Sequence, residues 1–147
     1  MSQVDLDRSV GYILKRAQSA LHTALEARLR TLALSVSQYA CLELLAQRPD
    51  LSQSELARGA FVSRQAMHQL AAGLQSAGLI TSRQDGRARR LQLTASGKQK
   101  LRAASRAAAE VERRMLAGLD HTQQSALHDG LTCCIESLAG GRGDGHI

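Results

Sequence analysis

Apolar residues at Leu6, Val10, Ile13, Leu14, Ala17, Ala20, Leu21, Ala24, Leu25, Leu29 and Leu32 recur at steps of three and four, so the first third of the chain is predicted as one long amphipathic helix. Ser35 stands three residues before Gln38, a pairing in which each side chain satisfies a free backbone N–H at the other's end of a first turn. A second helix is therefore expected from there to about Gln47, with Pro49 ending it. Ser52 and Glu55 repeat the pattern ahead of a third, two-turn helix that breaks near Gly59. Ser63 caps a fourth, which places Ala66, Met67, Leu70 and Leu74 on or beside one buried face and stops at Gly78, a residue suited to a left-handed terminus.

After Gly78 the period shortens to two. "LITSR" and "RRLQL" are predicted as short strands, the second with Leu91 and Leu93 inward and Arg90 and Gln92 outward, and the Asp-Gly of "QDGRA" marks the turn between them. Thr94 caps a fifth helix along Leu101, Ala104, Ala108, Val111 and Met115, whose spacing is that of a helix-packing seam. Asp120 with Gln123 opens a last helix carrying Leu127, Leu131, Cys134 and Leu138, followed by the glycine-rich "GGRGDGHI".

Composition narrows what this order can mean. In 147 residues, 44% hydrophobic content suffices for a core, and one proline with 2% aromatics favours helix. A net charge of +6 attracts polyanions without choosing among them. No apolar run reaches membrane-spanning length, and the first ten residues lack the basic and apolar regions of a secretion signal, so a cytoplasmic protein without a membrane partner is expected. Three cysteines, two of them adjacent at Cys133 and Cys134, make no disulfide framework.

Helix three, a tight turn, helix four and a hairpin form a winged helix-turn-helix, in which the second helix of the pair enters the major groove of DNA. The buried face of helix four leaves Arg64, Gln65, His68 and Gln69 outward, where arginine can pair with guanine and glutamine with adenine, and where no acid would repel phosphate. A plain solvated face is the alternative. In the hairpin, "SRQDGRARRLQLT" sets four arginines within eight residues. Arg87 at the tip could reach a minor groove, Arg89 and Arg90 lie where phosphates pass, and Asp85 could hold Arg87 extended; a solubilising turn is the bland reading.

The segments "QYACLELL", "SQSELARGAFVSRQAMHQLAAGLQSAGLI" and "DGRARRLQLTASG" together resemble the MarR family of bacterial transcriptional regulators, from about Asp7 to Leu138. The last of these matches the family's Asp-x-Arg wing and the Leu-Thr-x-x-Gly entry into the next helix. The resemblance implies a fold that is mainly α with a small β-hairpin, a winged helix-turn-helix flanked by long N- and C-terminal dimerisation helices. Residues 1–34 would form the N-terminal dimerisation helix, 35–94 the DNA-binding domain, 95–139 the C-terminal dimerisation helices and 140–147 a flexible tail. It further implies a homodimer on a pseudo-palindromic double-stranded DNA operator, with Ser52, Gln53, Ser63, Arg64, Gln65, His68, Gln69, Asp85, Arg87, Arg89 and Arg90 toward DNA. The apolar surplus of helix one and of the seam from Leu101 to Met115 points the same way, packing among these helices within one chain being the alternative.

A repressor released by a small aromatic or anionic effector is the function so implied, with Tyr12, Arg16, His22 and Tyr39 as candidate ligand residues; completing a core edge is their other role. The alternatives are a regulator responding to thiol oxidation and a winged helix used for protein contacts. Helix one has no cysteine where the oxidation-sensing branch carries its thiol, and Cys41 suits a core position. His121 and His128 lack partners at ligand spacing, so no metal or cofactor is expected, and no phosphate loop or nucleophile motif points to an enzyme. "RGD" at Arg142 to Asp144 is taken as coincidence.

Overall fold

The computed structural model describes residues 3–140 of the chain. Its order is α1 (Val10–Arg30), α2 (Val36–Gln47), α3 (Gln53–Gly59), α4 (Arg64–Ser76), β1 (Ile80–Asp85), β2 (Ala88–Leu93), α5 (Ala95–Leu116) and α6 (His121–Gly140). The chain divides into two units, Met1–Val111 and Glu112–Ile147.

The first helix is shorter than its apolar stripe. Leu6–Arg8 form a separate 3-10 turn, and the Ser9 hydroxyl accepts from Tyr12 N to start α1 at Val10. Apolar spacing runs through a break of this kind unchanged, whereas a serine cap interrupts the backbone ladder. The other starts fall where their caps put them: Ser35–Gln38 and Ser52–Glu55 each form both bonds of a capping box, and the Ser63 hydroxyl accepts from Ala66 N. Gly78 ends the α4 segment at φ +74.

One core runs through the first unit. Cys41, Leu42 and Leu45 of α2 meet Leu56 of α3, Met67, Ala71 and Leu74 of α4, Ile80 and Leu91 of the hairpin, and Leu101 and Ala104 of α5. Leu29 of α1 belongs to it as well. The core thus crosses both expected boundaries, 34/35 and 94/95, so the inner ends of α1 and α5 support the central module whatever their outer parts do. On α5 the buried positions are Gly97, Leu101, Ala104, Ala107 and Val111; Ala108 is half-buried and Met115 exposed, which moves the expected seam by one residue at its middle.

β1 and β2 pair antiparallel from Ile80↔Leu93 to Asp85↔Ala88, leaving Gly86 and Arg87 as a two-residue turn with Gly86 at φ +61. Glycine at the first central position is the residue this turn favours. Leu91 is buried and Leu93 half-buried. A contact absent from the sequence reading fastens the ribbon: Leu91 N donates to Leu51 O at 3.1 Å and Ser52 bridges Arg90, so the loop before α3 lies along β2. At the turn between α3 and α4, Phe61 takes φ +58 while 95% exposed, a left-handed position that costs an L-residue about 1–2 kcal/mol with no burial in return.

In the second unit, Asp120 and Gln123 cap α6 reciprocally, and Gln124 Nε2 donates to Leu116 O and Leu119 O across the preceding turn. Leu127, Leu131, Ile135 and Leu138 are exposed on α6. Gly140 is the last residue of that helix; the rest of the expected tail, with the RGD tripeptide, lies outside the described residues.

Candidate nucleic-acid interface

Met67, Ala71 and Leu74 seat α4 in the core, and the same helical period turns Arg64, Gln65, His68 and Gln69 to solvent. Ser63 is exposed, but its hydroxyl is engaged in capping. Ser52 and Gln53 are half-buried at the start of α3; the Ser52 hydroxyl is likewise held, by Glu55 N at 3.1 Å, while Gln53 Nε2 lies 3.4 Å from His68 Nδ1. Hydrogen bonding from Ser52, its side chain first and its backbone N–H second, holds the Glu55 carboxyl below the usual carboxylate range, with Arg90 and Arg58 adding to the effect. Glu55 is thus an anion at neutral pH, turned to its own cap.

The hairpin sorts its four arginines into two pairs. Arg83 and Arg90 face each other across the strands, a like-charge pair that would oppose folding if left alone. Acids resolve it. Arg90 Nε donates to Asp85 Oδ2 at 3.0 Å and Nη1 to Asp50 O at 2.8 Å, with Glu55 Oε1 at 3.9 Å, and Arg83 lies 3.6 Å from Asp50 Oδ1. Two sequence expectations are corrected here. Asp85 braces Arg90, not Arg87, because Asp85, Arg83 and Arg90 share one face of the ribbon while Arg87 occupies the turn. Arg90, expected outward, is instead engaged by these acceptors, with its side chain 32% exposed. Gln92 is exposed, as its outward position required, and donates to Asp50 Oδ1 at 2.7 Å.

Arg87 and Arg89 are exposed and, among the described residues, have no hydrogen-bonding or ionic partner; the same holds for Arg64 on α4. Gln53, His68, Arg87 and Arg89 converge on one open groove of about 470 Å³ between the start of α3 and the wing. The hairpin therefore presents two uncommitted cations, and the helix pair the Gln53–His68 contact, to a common space, while the charges that fasten the hairpin are neutralised behind it.

The residues assigned to an effector are less concentrated. Tyr12, Arg16 and His22 are exposed along α1, and His22 Nε2 sits 3.1 Å from Glu26 Oε2. Tyr39 packs against the core from α2, the edge role that helical tyrosines commonly fill. Among the described residues no cluster of three or more His, Cys, Asp or Glu could hold a metal, and His128 Nδ1 lies 3.2 Å from Asp129 Oδ1. No helix among them is long and apolar enough to cross a membrane.

Cys41 is fully buried with Sγ 3.9 Å from Met67 Sδ, and burial pushes its thiol up to about 11. Thiolate is the reactive form, so at pH 7 this residue is inert. Cys133 and Cys134 are exposed on α6. A thiol reagent added to the native chain at pH 7 is expected to modify Cys133 and Cys134 within minutes and Cys41 only on denaturation; rapid loss of all three thiols would show that the core opens around α2.

Helix pair, wing and uncommitted cationic groove define a winged helix-turn-helix protein of the nucleic-acid-binding kind. Comparison with known proteins narrows the class. The family model described as MarR family matches residues 34–91. The HTH-type transcriptional repressor Rv2887 of Mycobacterium tuberculosis strain H37Rv is 36% identical over 121 residues, covering 80% of this chain and 87% of the relative. The crystal structure of Mycobacterium tuberculosis MarR family protein Rv2887 in complex with DNA superposes with a TM-score of 0.76 at 32% identity, over 87% of this chain and 98% of that one. The same protein in complex with salicylic acid gives 0.73 at 33% identity, over 87% and 97%. The chain belongs to the MarR family of transcriptional regulators.

Proposed function

We propose that this protein is a repressor that binds a pseudo-palindromic operator as a homodimer in the cytoplasm and leaves it when a small anionic aromatic compound binds. The convergence of Gln53, His68, Arg87 and Arg89 on one groove, with Arg64 and Gln65 exposed beside it on α4, is the observation that carries the reading. In it α4 enters the major groove, Arg64 and Gln65 meet base edges, Arg87 enters the adjacent minor groove and Arg89 neutralises phosphate. The relative solved with DNA and with salicylic acid supports both halves of the proposal.

Base contact and phosphate contact differ in what their loss does. Gln65→Ala and His68→Ala are expected to reorder affinities across single-base operator variants, with about 1–3 kcal/mol lost at the cognate position. Operator fragments selected from genomic DNA by the purified protein supply the library. Equal weakening on every sequence would remove these side chains from base recognition.

The homodimer draws on apolar surface that each unit leaves open: Val10, Ile13 and Leu14 in the first, Leu131, Ile135 and Leu138 in the second. Val111, by contrast, is 3% exposed within a single chain, so a charge there would damage the fold, not an interface. Leu131→Glu is expected to raise the dimer dissociation constant at least tenfold, about 1.4 kcal/mol, at unchanged helicity. Sedimentation across micromolar concentrations measures this, and a wild-type monomer with full operator affinity would overturn the dimer.

A further inference from the structure

The turn that ends α3 is closed by two backbone bonds, Val62 N to Ala57 O at 3.0 Å and Phe61 N to Arg58 O at 3.3 Å, with Phe61 between them at φ +58. Such a closure puts one residue in the left-handed region just past the helix, and glycine is its usual occupant because a Cβ there crowds the following carbonyl. The chain supplies its own comparison. After α4 the same pair of bonds, Leu79 N to Leu74 O and Gly78 N to Gln75 O, both at 3.0 Å, is built around Gly78 at φ +74. After α1 it is built around Ala33 at φ +57, with Leu34 N to Leu29 O at 3.1 Å and Ala33 N to Arg30 O at 3.0 Å. At α3 alone the strained position holds an aromatic residue, the single phenylalanine among the 147 residues.

Packing does not account for that choice. Val62 already makes the apolar contact that closes such a turn, since it packs against the core, whereas Phe61 is 95% exposed. Among the described residues the other exposed large apolar side chains fall at Leu14 or earlier and at Met115 or later, the two ends of the chain on which the homodimer draws. Phe61 is the one that stands on the helix-turn-helix. Backbone strain and a hydrated ring both weigh against the folded chain, so the gain lies in contact with something outside it. Position says what that is. Phe61 precedes Ser63, the cap of α4, by two residues, roughly 7 Å of chain, and the N-terminal end of α4 is the one that meets base edges. The exposed residues around it in sequence, Arg58, Ser63, Arg64 and Gln65, are polar or cationic, which suits a polyanion and leaves no apolar patch of the kind a protein partner would bury. In a major groove the apolar feature is the thymine C5-methyl group, on which phenylalanine packs. We propose that Phe61 is a specificity-determining DNA contact, its ring packed on a thymine methyl at the edge of the major groove that α4 enters. The proposal rests on the operator reading above and adds to it a base preference set outside α4 and the wing.

Deoxyuridine in place of thymidine deletes that methyl and leaves the pairing edge intact. Operator fragments selected from genomic DNA by the full chain would carry this replacement at each thymidine in turn, in both half-sites. They would be titrated by fluorescence anisotropy with wild type, Phe61→Gly and Phe61→Asn, two substitutions that accept a left-handed backbone. At one thymidine position or more, loss of the methyl is expected to weaken wild-type binding about fourfold per half-site, the worth of one buried methyl group, and to leave both variants unaffected. Both variants are expected to bind the unmodified operator about tenfold more weakly than wild type, two rings being lost per dimer. Phe61→Gly is also expected to melt about 2–4 °C above wild type, so that stability and binding move in opposite directions, which a purely structural residue would not produce. Variants that bind the operator like wild type would overturn the contact, whether the ring then serves a protein or nothing. Weaker binding with every thymidine felt as in wild type would overturn the thymine assignment, and a Phe61→Gly protein that melts below wild type would overturn the strain on which it stands. In each of these cases the wild-type titration still shows operator binding, whereas a wild-type chain that selects no fragment overturns the operator reading and this contact with it.

Discussion

Gly97→Ala is expected to cost about 3 kcal/mol of stability, a drop in melting temperature of roughly 10 °C, although it adds one methyl to a helix. A Cβ at position 97 would lie 2.0 Å from Leu79 O and 3.0 Å from Leu79 C, both backbone atoms with no rotamer to yield. Relief requires α5 to lift from the root of the hairpin, where three bonds fix it: Thr94 N to Leu79 O at 3.0 Å, Thr94 Oγ1 to Gly78 O at 2.6 Å, and Gly97 N to Thr94 Oγ1 at 3.0 Å. Overpacking of about 1–3 kcal/mol and the weakening of these bonds, each worth about 0.5–1.5 kcal/mol, act together. The same substitution at Gly73, inside α4 with only the flexible Gln38 Nε2 at 3.8 Å, is expected to stabilise by about 0.5–1 kcal/mol through helix propensity. Thermal unfolding of both variants by circular dichroism checks the pair. A Gly97→Ala protein as stable as wild type would mean that α5 does not rest on the Gly78–Leu79 backbone.

That glycine also shows how far the sequence could be read. The Leu-Thr-x-x-Gly pattern was visible as a family resemblance, but its physical reason, the approach of one backbone to another, needs the fold. Helix starts were legible because Ser35, Ser52, Ser63 and Asp120 announce themselves within three or four residues, and local chemistry decides them. What escaped was set by partners distant in the chain. Arg90 looked like any exposed wing arginine because Asp50, 40 residues earlier, is invisible to strand periodicity. The pairing of Leu51 and Ser52 with β2 was missed for the same reason. The 3-10 turn at Leu6–Arg8 was lost because a stripe of apolar residues does not record a break in the backbone. Of the candidate DNA-facing residues, those on α4 stand exposed as helical periodicity required, whereas the wing needed the register to tell Arg87 and Arg89 from Arg83 and Arg90.

That distinction sets the second large expected effect. Arg89→Ala, which removes an uncommitted charge, is expected to leave stability within about 0.5 kcal/mol of wild type and to weaken binding on every sequence. Each lost phosphate contact lowers the magnitude of the log–log salt slope by about 0.9, so a dimer with two wings should lose nearly two units. Arg87→Ala is expected to be equally silent in stability but selective in binding, costing most on operators with A·T-rich flanks, whose narrow minor groove concentrates negative potential. Arg90→Ala should divide the other way. It leaves Asp85 and the Asp50 carbonyl without their shared donor while relieving the repulsion between Arg83 and Arg90, so about 1 kcal/mol of stability is expected to go, moderated by the partial exposure of those groups. Arg90→Lys should recover little of it, since one ammonium cannot span the carboxylate and the carbonyl as a planar guanidinium does. The salt slope of a folded Arg90→Ala protein should stay near that of wild type. Titrations on both flanks at several salt concentrations, beside thermal melts of the same preparations, separate the three residues. Should Arg90→Ala instead melt like wild type and lose the same two units of slope as Arg89→Ala, then Arg90 would be a phosphate contact and the clasp through Asp50 would not hold the wing.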